Sequence, residues 1–309
     1  MKKFFTLFIS LIVILCAFFT IIGSISQDII QIPSNFKGDY IEIEGSKIRY
    51  YQIGAGKDIL FIHGLPGSIE DWEPVEELSS KYRLTMYDRP GYGFSSPGKS
   101  DYHLNYNADI ALKVIRKLNL ENVIVVGHSY GGATSLAMAI QNPKEVKEFV
   151  VISAPSYFTM PAPKIYNFVT LPIIGRGLTS SLSYLLGTGM VKDGIHKAFH
   201  PNMNSMPSDF TEKRSKIWLQ TKVINTLARE RLNLNDDLKI IEPNFKNISK
   251  KIIIVHGDAD LSVPSDGSIK LHKIIKKSEM IIFENTGHQV QFAKPDDLIK
   301  IIDDLRSKE

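Results

Sequence analysis

The first residues to weigh for chemistry are Gly127-His128-Ser129-Tyr130-Gly131, a G-x-S-x-G run. A serine on a tight strand-to-helix bend, with small neighbours, has its hydroxyl pushed clear of the chain. The apolar run 122–126 before it and the helix-like stretch 130–141 after it supply that frame, and the helix would turn its positive end toward the site. A hydroxyl is a poor nucleophile until a base takes its proton. Of the eight histidines, His288 in Thr286-Gly287-His288-Gln289 is the candidate, because it follows the last apolar run near the chain's end. His128 adjoins the serine and should point away from it, His63 belongs to a turn, and His256 ends a strand. His103, His196, His200 and His272 have no supporting context. An imidazole acting as base needs a carboxylate to fix its tautomer. His256-Gly257-Asp258-Ala259-Asp260 offers two, and Asp260 is preferred because it lies further out along the loop, while Asp258 suits the turn itself. The developing oxyanion needs donors. The N–H of Tyr130 is one and that of Leu65, in His63-Gly64-Leu65-Pro66-Gly67, is the other: Pro66 has none to give, and His63 and Gly64 come too early.

These residues need a scaffold that gathers them. Residues 40–44 and 47–52 alternate around Glu44-Gly45-Ser46 as a β-hairpin does. Apolar strands at 58–62, 83–87, 122–126, 148–152, 251–255 and 279–283 then alternate with helical stretches at 71–80, 105–118, 130–141, 267–277 and 295–306. Apolar strands separated by helices predict a mostly parallel sheet covered on both faces. Residues 155–245 interrupt the alternation with Pro, Gly, Ser, Met and helical patches such as 213–232. That insertion is expected over the carboxyl edge of the sheet, where such folds bind ligands.

The net charge of +4 comes from dispersed residues, 37 Lys+Arg against 33 Asp+Glu, which argues against a nucleic-acid partner. The single cysteine, Cys16, excludes an internal disulfide. No phosphate loop, nicotinamide or flavin fingerprint, or metal cluster is present, so no cofactor is expected. Lys2 and Lys3 precede Phe4–Ile25, a stretch without a charged residue. As a helix its 22 residues would reach roughly 33 Å, the thickness of a bilayer core. A transmembrane signal-anchor over residues 1–26 is the favoured reading, which puts the domain on the extracytoplasmic side by way of a linker at 27–39. A signal peptide cut before Gln27, leaving a secreted protein, competes with it. Lipidation of Cys16 is disfavoured by bulky Leu15.

Across residues 40–309 the chain resembles the α/β-hydrolase fold superfamily. Four segments match in order: HGLPGS at 63–68, YDRPGYGFS at 87–95, GHSYGG at 127–132, and HGDADLSVP at 256–264 with TGH at 286–288. The resemblance implies an α/β core of eight strands, 40–154 and 246–309, with a helical cap at 155–245. It implies Ser129 as nucleophile, Asp260 as acid and His288 as base, with Leu65 and Tyr130 at the oxyanion positions. The DRPGYG turn resembles the branch of haloalkane dehalogenases and epoxide hydrolases, which use an aspartate nucleophile. This chain carries serine there, which points to an acyl-enzyme and a small carboxylic ester or lipid substrate. An acyltransferase, a cofactor-free perhydrolase, cleavage of a C–C bond beside a ketone, and a non-catalytic binding protein are the alternatives. Some of the cap residues Tyr157, Phe158, Met160, Tyr166, Phe168, Leu182, Tyr184, Met190, Phe199, Met203, Met206 and Trp218 are expected to line an acyl pocket, and most to be packing.

Overall fold

The computed structural model describes residues 2–27, 37–99, 102–171 and 174–307. A helix, α1 (Lys2–Gln27), precedes the domain. The chain then runs through β1 (Asp39–Ile43), β2 (Ser46–Ile53), β3 (Asp58–Ile62), a 3₁₀ segment (Ile69–Ser80), β4 (Arg83–Tyr87), α2 (Leu104–Lys117), β5 (Val123–His128), α3 (Tyr130–Ile140) and β6 (Val146–Ile152). Four helices follow: α4 (Ile165–Val169), α5 (Ile174–Phe199), α6 (Phe210–Trp218) and α7 (Thr221–Ile241). The chain re-enters the sheet with β7 (Lys251–Gly257), α8 (Asp266–Ile274), β8 (Ser278–Phe283), α9 (Val290–Ala293) and α10 (Pro295–Ser307).

The strands form one sheet in the order β1-β2-β4-β3-β5-β6-β7-β8. The β1–β2 and β2–β4 pairs are antiparallel and the others parallel. This is the eight-stranded, mostly parallel α/β sheet that the strand pattern and the resemblance lead one to expect. Every residue of β3 and β5 is buried, because parallel strands covered on both faces have no solvent side. Successive side chains still point to opposite faces. Leu60, Ile62, Val125, Phe149, Val151 and Ile254 pack with Ala111, Ile115, Leu136 and Leu271 of α2, α3 and α8. Ile59, Phe61, Val126, Val150 and Val255 pack with Trp72 and Val75 of the 3₁₀ segment and with Leu298 and Ile302 of α10.

Two stretches differ from what the sequence suggested. The helical patch 213–232 is broken between α6 and α7, with Gln220 (ψ 133°) at the corner. The spanning helix expected at the N-terminus finds no support: among the described residues, no helix is long and apolar enough to cross a membrane. α1 is a helix, but it lies alongside α5, and its outward side chains, such as Phe4 and Leu7, are exposed. Residues 28–36, most of the expected linker, and the side chains of Cys16, Leu182 and Tyr184 fall outside the described residues.

Candidate active site

β5 ends at His128 and α3 begins at Tyr130, so Ser129 alone makes the bend. Its backbone takes φ 53° and ψ −120°, a conformation that side chains with a Cβ seldom adopt. The bend must be crowded by small residues. A Cβ on Gly131 would lie 2.1 Å from the carbonyl oxygen of Ile62, and one on Gly127 would lie 2.4 Å from that of Gly131. The N–H of Ser129 donates to Ile152 O of the neighbouring strand at 2.8 Å. The hydroxyl is thereby lifted above the carboxyl ends of β5 and β6, over the N-terminus of α3.

Ser129 Oγ lies 2.9 Å from His288 Nε2, and His288 Nδ1 lies 2.7 Å from Asp260 Oδ2. A carboxylate can only accept, so Nδ1 carries the proton and Nε2 is left free to take one from the serine. Asp260 is heavily donated to: Oδ1 accepts the N–H groups of Ser262 (2.7 Å) and Val263 (2.9 Å). Burial opposes its ionisation, but the electrostatic pull of the neighbouring His288 and hydrogen bonds from His256, His288 and Val263 outweigh burial and hold the carboxyl well below its ordinary range. Asp258 faces the turn and accepts from the N–H of Thr286 at 3.4 Å. Ser129, Asp260 and His288 are 8%, 8% and 7% exposed, so the group is almost closed off from bulk water.

The turn that follows β3 abuts the serine: a Cβ on Gly64 would lie 3.0 Å from that of Ser129. The N–H groups of Leu65 and Tyr130 donate to nothing else among the described residues. Two unspent backbone donors flanking a hydroxyl suit an incoming carbonyl oxygen.

Two histidines passed over in the sequence belong to this site. His128 turns its Nε2–H to the carbonyl oxygen of His288 at 2.9 Å, with the two rings 4.8 Å apart. Burial, and then the neighbouring His288, push its pKa down to about 3, so it is neutral. His256 approaches Asp260 Oδ2 at 3.3 Å and Val263 O at 2.8 Å, while its Nδ1 accepts from Ser268. From the cap side, Asn202 clamps the His288 loop by accepting the N–H of Gly287 (2.8 Å) and donating to Asn285 O (2.9 Å). Position beside a motif was the only signal for His128, and its place at the end of a strand the only one for His256. Asn202 had none.

The proposed acyl-pocket residues divide differently. Phe199 is buried with Phe210 and Phe292, and Met203, Met206 and Trp218 pack against them. Phe158, Met160, Phe168 and Met190 are exposed.

A sheet of this topology has known counterparts. The alpha/beta hydrolase fold family matches residues 58–170. An esterase from Exiguobacterium antarcticum superposes with a TM-score of 0.71 at 22% identity, over 87% of this chain and 98% of that one. The chain has the α/β-hydrolase fold. Among proteins of known name, it is 24% identical over 277 residues to a 2-hydroxy-6-oxo-2,4-heptadienoate hydrolase of Pseudomonas putida, spanning 86% of this chain and 94% of that protein. It is 27% identical over 288 residues to Lipase 1 of Psychrobacter immobilis, spanning 85% and 83%. This α/β-hydrolase is a hydrolytic enzyme.

Proposed function

We propose that the chain is a serine hydrolase of carboxylic esters, with Ser129 as nucleophile, His288 as general base and then acid, and Asp260 as the group that holds the imidazole. The observation that carries this reading is the unbroken relay from Ser129 Oγ through His288 to Asp260, with Leu65 and Tyr130 N–H left over beside it. Ser129 Oγ attacks the ester carbonyl while His288 Nε2 removes its proton. The carbonyl oxygen, now negative, rests against the two N–H groups. Collapse expels the alcohol, which takes its proton from the imidazolium and leaves an acyl-Ser129. Water then enters, His288 removes its proton, and the second tetrahedral adduct releases the acid and restores the serine.

The test is labelling by a fluorophosphonate together with hydrolysis of p-nitrophenyl esters of rising acyl length. Ser129→Ala should lose all labelling and at least about 10³-fold in kcat, because nucleophile and base act as a unit. Retention of turnover by that variant overturns the reading. Added alcohols report acyl transfer if they draw off the acyl group in place of water. The similarity to an enzyme named for a 6-oxo-heptadienoate keeps a ketone as a second substrate class, separable by assaying such a compound beside the esters. From the charge-free run behind Lys2 and Lys3 we also infer that the domain works outside the cytoplasmic membrane. Recovery of the protein only in the cytoplasmic fraction of broken cells would refute that placement.

A further inference from the structure

The DRPGYG turn at 88–93 reaches the reacting groups through its arginine. Arg89 is fully buried and spends its guanidinium on the turn beside Ser129: Nη2 donates to Gly64 O at 2.9 Å and Nε to His63 O at 3.2 Å. Its backbone N–H donates to His63 Nε2 at 2.9 Å. That bond fixes the tautomer of His63, whose Nδ1–H points at the same Gly64 O at 2.9 Å. Gly64 O therefore takes two donors, one of them charged. That oxygen belongs to the peptide unit whose N–H is that of Leu65. The clamp sets the plane of that peptide and draws electrons from its nitrogen, which strengthens the N–H as a donor. The same guanidinium lies 4.6 Å from the ring centre of Tyr130, the residue that offers the other N–H.

The charge on Arg89 is balanced from the cap. Glu230 of α7 is fully buried and accepts from Arg89 Nη1, from Tyr92 OH at 2.7 Å and from Asn107 Nδ2 at 3.0 Å. α7 is thus joined, through one carboxylate and one guanidinium, to the peptide that faces the reacting carbonyl.

We propose that Arg89 and Glu230 are positioning residues for the oxyanion site, and that they transmit the seating of the cap to the Leu65 N–H. The inference rests on the serine-hydrolase reading above. Neither residue touches substrate. Loss of the clamp should therefore weaken the hold on a tetrahedral oxyanion and leave ground-state binding almost unchanged.

The experiment compares Arg89→Lys and Glu230→Gln with the wild-type full-length chain. Turnover is expressed per site titrated by fluorophosphonate, so that unfolded molecules are not counted. The same variants are assayed for inhibition by an alkyl boronic acid, which forms a tetrahedral adduct on a serine. Removing a whole oxyanion donor typically costs about 10²–10³ in kcat, so loosening one should cost about 10- to 100-fold. KM should stay within about two-fold, and boronate affinity should fall by the same factor as kcat. Glu230→Gln is isosteric: its one oxygen can still accept from Arg89 and Asn107 and its NH2 can donate to the Tyr92 hydroxyl, so it removes the charge with little change of shape and serves if Arg89→Lys does not fold. The proposal is overturned if kcat per titrated site stays within about two-fold of wild type, or if KM rises while kcat and boronate affinity hold. If the wild type itself neither labels nor turns over an ester, the parent reading has failed instead.

Discussion

His128 sits in a dry site one residue before Ser129, with its single proton already given to the carbonyl of His288. Its pKa of about 3 lies below the ordinary 6.5 because a second proton would be buried beside another ring. As pH falls below 6.5 the unfolded chain takes up a proton that the folded one refuses, so stability is lost progressively down to about pH 3. At pH 5 this amounts to about 2 kcal/mol. His63 is pushed in the same direction, by burial and then by Arg89. Asp71 and Asp88 are both raised to about 6 by burial, and they act in the opposite sense. The prediction is therefore a difference between two proteins. His128→Gln, which keeps a donor for His288 O, should lose about one proton from the pH dependence of urea unfolding between pH 7 and pH 5. An unchanged slope in that variant would place the proton elsewhere. The three proposed reacting residues stood out in the sequence because strict local rules surround them. The residues that orient them follow no such rule: Arg89 and Glu230 are 141 positions apart, and only the folded chain reveals them as a pair.

At the level of elements, the strands were legible because buried parallel strands must be almost wholly apolar over a short run, as in Asp58–Ile62 and Lys251–Gly257. The bend at Ser129 was legible for a related reason, since its glycines answer a steric demand. Gly131→Ala tests that demand directly. With its Cβ driven to within 2.1 Å of Ile62 O, the β5–α3 bend must shift away from β3. We expect a loss of about 1–3 kcal/mol in unfolding free energy, and a fall in fluorophosphonate labelling rate larger than that loss explains. Cap helices were read less well. Nothing in Trp218-Leu219-Gln220-Thr221 announces a break, because none of these residues forbids a helix. The corner is set by tertiary contacts such as Thr221 Oγ1 with Ser180 Oγ at 3.1 Å.

Over the whole molecule, the cap is fastened to the core through side chains that leave water altogether. Besides Glu230 on Arg89, Arg214 of α6 meets Asp71 of the 3₁₀ segment at 3.1 Å with both almost fully buried, and Asp237 of α7 accepts the N–H of Leu104 at the start of α2 at 2.9 Å. Breaking a buried pair by removing one partner typically costs about 3–5 kcal/mol. Arg214→Met should therefore lower the urea midpoint strongly at pH 8. The loss should shrink toward pH 5, where Asp71, raised to about 6 by burial even against the pull of Arg214, can take up a proton and shed its stranded charge. A deficit that does not vary with pH would mean that packing, not charge, holds α6 down. The placement of Glu230 also bears on engineering. Swapping helices between proteins of this fold is an attractive route to new selectivity, since substrate contacts are expected in the cap and the proposed reacting groups reside in the core. Here the graft would have to bring its own carboxylate at the depth of Glu230; a chimaera without one would gain a new substrate range and lose the speed to use it.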